Sequence, residues 1–108
     1  MMELKERQCV PINKETKALE ESEINSLKNQ LITKWQIIEE IKLKKVFQFE
    51  NFKRAMAFVQ EIGMLAEKEN HHPDICIHYT SVEIILTTHD VGGLSVNDFI
   101  IAAKIEDL

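Results

Sequence analysis

A chain of 108 residues, 44% of them apolar and 29% charged, can bury one hydrophobic core but not two. Its formal net charge of −5 and pI near 5.3 argue against nucleic-acid contact, because Lys42, Lys44 and Lys45 sit among apolar residues and read as a solvated strand face. No apolar run approaches the about 18 residues of a membrane span, none has the signal-peptide pattern, and Cys9 and Cys76 form neither a disulfide framework nor a metal-type pair; the expectation is a soluble, reduced, cytoplasmic protein.

Residues 1–18 are mostly polar, with Pro11 among them, and are expected to form an irregular arm before a single domain over 19–108. Leu19, Ile24, Leu27 and Leu31 predict a short amphipathic helix from Leu19 to about Gln30. Trp35–Ile41 and Leu43–Phe49 are short and rich in β-branched and aromatic residues, so they read as two strands of a hairpin. The clearest helix runs from Asn51, a good N-cap, to about Glu69, with Phe52, Met56, Val59, Gly63 and Ala66 in one stripe. Gly63 costs that helix about 1 kcal/mol relative to Ala, which points to close packing against a neighbour.

Pro73 forbids the helix from continuing and pushes His72 into an extended conformation. Strict alternation then predicts half-buried strands over Ile75–Tyr79 and Val82–His89, with His89 on the face opposite the main apolar row. Val91-Gly92-Gly93 is a turn, and Ser95 caps a last helix with Asp98 at its third position. The order α-β-β-α-β-β-α implies an α+β, two-layer domain: a four-stranded antiparallel sheet covered on one face by three helices. The other face, carrying Glu83 and His89, would be open or would meet a partner.

Three of the four histidines fall on or just after the helix exit and the last strand. Adjacent His71 and His72 before a proline are poor core material. Imidazole is the side chain whose ordinary pKa, about 6.5, lies near neutrality, so such a cluster can hold both an acid and a base at one pH. His89, beside a glycine turn, stands where loops present site residues, whereas His78 reads as a surface strand residue and Asp98 has a structural role as a cap. A zinc site of three histidines and an aspartate is a second reading, but neighbouring strand residues point to opposite faces, which makes shared ligation by His71 and His72 awkward.

The run Glu67-x3-His71-His72-Pro73-x5-Tyr79-x9-His89-x8-Asp98 resembles the signature of the pterin-4a-carbinolamine dehydratases, with every element at the expected spacing. His71-His72-Pro73-Asp74, Thr87-Thr88-His89-Asp90 and Gly93-Leu94-Ser95 extend the resemblance, which covers Leu19 to the C-terminus. Lys34 stands where the family often has a glycine, and the N-terminal arm is extra; neither touches the histidines.

The resemblance implies dehydration of a 4a-hydroxytetrahydropterin to the quinonoid dihydropterin, in tetrahydrobiopterin recycling. His71, His72 and His89 would be catalytic. Glu67 would orient His71, and Asp98 would steady His89. Trp35 would help to wall the pocket or, equally, serve in the core or at the rim, and Pro73 and Thr88 would lie near the pocket. It implies no metal and no cofactor beyond the pterin substrate, and a homodimer or homotetramer. Because some members bind protein partners, a non-catalytic dimerisation or assembly role is the alternative.

Overall fold

Alternating apolar and polar residues build the sheet in the computed structural model, which describes residues 2–108. Strands β1 (Gln36–Ile38), β2 (Lys42–Gln48), β3 (Asp74–His78) and β4 (Ser81–Leu86) form one antiparallel sheet in the order β1-β2-β4-β3. Pairing of Leu43 with Leu86 and of Phe47 with Val82 sets the register, so Leu43, Val82, Ile84 and Leu86 all point to the helical side and are fully buried. Helices α1 (Glu21–Lys28), α2 (Phe52–Glu69) and α3 (Val96–Glu106) accompany this sheet in the α-β-β-α-β-β-α order that the pattern predicts. No helix among the described residues is long and apolar enough to cross a membrane.

Helix α3 is apolar on nearly every side, from Phe99 through Ile105, and such a helix must be covered all round. It packs against α1, α2 and a turn of 3-10 helix at Leu4–Glu6. That turn corrects the expectation of a wholly irregular arm: Leu4 is 3% exposed and joins the core. Further along, the Val10 N–H donates to Asn97 Oδ1 at 2.8 Å, Asn97 Nδ2 donates back to the Val10 carbonyl at 2.7 Å, and the Cys9 N–H donates to Glu69 Oε1 at 2.8 Å. The polar text of the arm hides this, because what ties it down is backbone hydrogen bonding to side chains distant in sequence.

Several boundaries move for local reasons. Strand β1 is shorter than predicted because Glu39 and Glu40 take left-handed φ values of 51° and 62°, reversing the chain before Ile41. Strand β4 stops at Leu86; Thr88 makes a single bridge to Gly93, and His89 opens a 3-10 turn through Val91, so His89 belongs to a loop and not to the sheet face. Asn51 does cap α2, accepting from the Arg54 N–H at 2.8 Å. Gly63 has nothing within 4 Å of where a Cβ would lie, so within the chain it is not a site of close packing.

Replacing Asn97 with Ala removes both hydrogen bonds to Val10 and should cost about 1–3 kcal/mol. Limited trypsin digestion should then cut at Arg7 and Lys14 faster than in the parent protein. Unchanged cleavage rates at both positions would show that these bonds do not hold the arm.

Candidate active site

The exit of α2 decides where the paired histidines go. Asn70 takes the left-handed conformation, φ 54° and ψ 42°, and both its N–H and that of His71 return to the Ala66 carbonyl. This is a C-terminal cap that asparagine tolerates better than most side chains. With the chain turned and Pro73 ahead, the two rings diverge, each finding its own carboxylate.

His71 points inward. Its Nε2 lies 2.6 Å from Asp98 Oδ1, and its side chain is 11% exposed beside a fully buried aspartate. Asp98 is held by donors on every side. Its Oδ2 accepts from Thr88 Oγ1 at 2.7 Å and from the Ser95 N–H at 3.0 Å, the second bond being half of the capping box that starts α3. Thr88 has one hydroxyl proton and spends it on Asp98, so Ser95 Oγ, 2.7 Å away, donates to Thr88. An acceptor-only carboxylate fixes the His71 tautomer: Nε2 carries the proton and Nδ1 keeps its lone pair.

His72 points outward, with Nε2 2.5 Å from Glu67 Oε2 on the last turns of α2. The expected pairings are therefore exchanged. Glu67 holds His72 and not His71, whereas Asp98 holds His71 and not His89. The helical spacing from Glu67 to His71 misleads because Asn70 leaves the helix before His71 is reached. His89 is exposed, and its ring has no hydrogen-bond partner among the described residues.

All three histidines line one cleft of about 470 Å³. Thr87, Thr88 and Asp90 flank His89, and Glu69 and Asn70 flank the pair. The remaining wall is the arm, Cys9 to Ile12, with Asn97 behind it. The arm residues, Glu69 and Asn97 carry no sequence signal for this role, since their proximity is set by the tertiary anchoring of the arm. Burial, reinforced by the negative charge of Glu69, pushes the Cys9 thiol up to about 12. Cys9 thus faces the cleft as a neutral thiol and is neither base nor nucleophile at neutral pH.

Glu67 and Asp98 reach the cleft only through His72 and His71, and two further expected site residues, Trp35 and Pro73, do not line it. Trp35 is 1% exposed in the core, edge-on to Phe47, and its Nε1–H donates to Glu106 Oε2 at 3.1 Å. The same carboxylate accepts from the N–H groups of Ile32 and Thr33, so Trp35 anchors the entry to β1. Pro73 lends the cleft no wall; it starts the extended segment that leads into β3.

Chemically, the cleft offers a rigid, carboxylate-bound imidazole and two solvent-accessible ones within a concave, partly polar surface. Such a set can donate and accept protons around one small molecule.

Residues 17–108 match the family model of pterin 4 alpha carbinolamine dehydratase. A protein of Rubrobacter xylanophilus that carries the provisional name pterin-4-alpha-carbinolamine dehydratase is 42% identical over 108 residues, covering all of both chains. A relative from Alkaliphilus metalliredigens with the same provisional name is 42% identical over 106 residues, covering 98% of this chain and 96% of its own. Among solved structures, the transcriptional coactivator/pterin dehydratase from Brucella melitensis superposes with a TM-score of 0.77 at 31% identity, over 82% of this chain and 95% of that one. A pterin dehydratase-like RuBisCO assembly factor of the alpha-carboxysome shares the fold, with a TM-score of 0.57 at 24% identity, over 68% and 84% of the two chains. With the histidine cleft in place and the match running from residue 17 to the C-terminus, the chain belongs to the pterin-4-alpha-carbinolamine dehydratase family.

Proposed function

We propose that this protein dehydrates a 4a-hydroxytetrahydropterin to the quinonoid dihydropterin, by proton transfers among His71, His72 and His89. The observation that carries the reading is the convergence of these three side chains on one cleft, with His71 fixed in a single tautomer by Asp98. The reaction breaks the C4a–O bond. An acid protonates the departing hydroxyl, the N5 lone pair forms the C4a–N5 double bond, and a base takes the N5 proton. No electrons leave the pterin, so the step needs no redox cofactor, and the N5 lone pair supplies the driving push. Imidazoles suit both proton transfers at neutral pH.

The committed nitrogens divide the work. His71 presents Nδ1 from a locked ring, a positioned acceptor. His72, bonded to the exposed Glu67, and the unpartnered His89 are both open to solvent. This fits acid and base roles that are exchanged between the two faces of the pterin. Asp98 and Thr88 act through His71 as positioning residues, and Glu67 acts through His72.

A second reading, a non-catalytic dimerisation or assembly cofactor for a protein partner, is favoured by one observation. Phe52, Met56 and Met64 on α2 are 48%, 39% and 67% exposed, and Phe52 stacks on the exposed Tyr79. That apolar face is suited to contact with a further chain, a second copy of this one included. The two roles use different residues and are compatible.

Stopped-flow ultraviolet measurement of 4a-hydroxytetrahydropterin breakdown separates them. His72→Ala should lower the rate by about 10²-fold or more with the fold retained; a rate like that of the parent protein would sink the assignment. Asp98→Asn places an amide N–H where His71 needs an acceptor, so the ring must change tautomer. That change should lower kcat by at least about tenfold with little change in KM, and a KM effect alone would point to a binding role instead. Replacing all three histidines with Ala should abolish dehydration yet leave any oligomer or partner complex, as judged by light scattering, unchanged.

A further inference from the structure

On the sheet face turned away from the helices, the pleat assembles a second group of ligand-type side chains. Cys76 and His78 are two residues apart on β3 and therefore project to the same side. Glu83 on β4 is the direct cross-strand partner of Cys76, so it projects there too, opposite the buried row of Val82, Ile84 and Leu86. The result is a thiol, an imidazole and a carboxylate whose ligating atoms all lie within 4.8 Å of one another. Cys76 Sγ is 3.3 Å from His78 Nε2. This group shares no residue with the cleft of His71, His72 and His89.

We propose that Cys76, His78 and Glu83 form a binding site for a divalent transition-metal ion of the zinc class. The donor set decides the class: sulfur and nitrogen with one oxygen suit zinc or cobalt, whereas magnesium and calcium demand oxygen. With Zn–S of about 2.3 Å and Zn–N of about 2.0 Å, a tetrahedral ion separates sulfur from nitrogen by roughly 3.5 Å. The observed 3.3 Å lies within a small rotamer adjustment of that value. Cys76 and His78 are exposed and Glu83 half-buried, so the fourth position opens to water.

Lys44 on β2 is the neighbouring cation, with Nζ 2.8 Å from Glu83 Oε1. A carboxylate has a second oxygen to give, so Lys44 can remain as a positioning residue that aims Glu83 while the other oxygen ligates. Two of the three ligands sit on a strand paired through its whole length with β4, which supplies the third. The backbone geometry is therefore fixed before an ion arrives, and little ordering opposes binding.

The test is a titration of the full chain, stripped with a chelator and kept reduced with a phosphine, with Co²⁺ as the optical probe. One equivalent should give a near-ultraviolet thiolate-to-cobalt charge-transfer band with visible bands of tetrahedral intensity, and Zn²⁺ should bleach both. Cys76→Ser should abolish the charge-transfer band, whereas Cys9→Ser should preserve it. His78→Gln and Glu83→Gln should each weaken Co²⁺ binding by at least about tenfold, a ligand mattering no less than the outer partners of a metal site. Far-ultraviolet circular dichroism checks that each variant remains folded. Absence of the thiolate band in the folded parent protein, its survival in Cys76→Ser, or undiminished affinity in His78→Gln overturns the site. Dehydration of the pterin should proceed alike in the stripped parent and in Cys76→Ser, so this outcome is independent of the histidine chemistry.

Discussion

Everything at the cleft hangs on one buried carboxylate. Asp98 has no exposed surface, and an isolated charge there would cost several kcal/mol. It is tolerated because three donors from three parts of the chain converge on it: the Ser95 N–H at the start of α3, the Thr88 hydroxyl just past β4, and His71 just past α2. The N-terminus of α3 adds a favourable dipole. Removing any one element would leave the carboxylate short of a partner. The same group that begins the last helix therefore also welds the helical layer to the end of the sheet and sets the orientation of an imidazole.

That arrangement separates rigidity from access. His71 is held and mostly covered, whereas His72 and His89 stand in solvent. A cleft made from one fixed and two adaptable imidazoles needs precise support on one side only. The economy shows in the polar inventory, since no buried side-chain nitrogen or oxygen among the described residues lacks a hydrogen-bond partner.

The fold was largely legible because its signals are local and mutually consistent. Alternation marked β3 and β4, the N-caps Asn51 and Ser95 marked two helix starts, and Pro73 marked the break between α2 and β3. Strand ends were less legible: nothing in the composition of Glu39-Glu40 announces a left-handed pair. At the site, residue types and spacing named the three histidines, but not their partners. Counting along a helix assigned Glu67 to His71, and only the left-handed Asn70 reverses that assignment. Trp35 stayed open between pocket wall and core, because an aromatic residue before a strand looks the same in either place; it fills the core. The wall built by Cys9–Ile12 was invisible, since its cause is a pair of hydrogen bonds to Asn97, nearly the whole chain away.

That wall has a consequence for how the cleft is shaped. The family match begins at residue 17, whereas Cys9 to Ile12 close one side of the cleft. The histidines and part of the cleft wall are thus supplied by separate stretches of the chain. Substitutions at Val10, Pro11 and Ile12 reshape the cleft without touching Leu4 or the Asp98 network, provided that the backbone of residues 9 and 10 keeps its hold on Glu69 and Asn97. The backbone of the arm fixes where this wall stands, and its side chains set the shape that the wall gives the cleft.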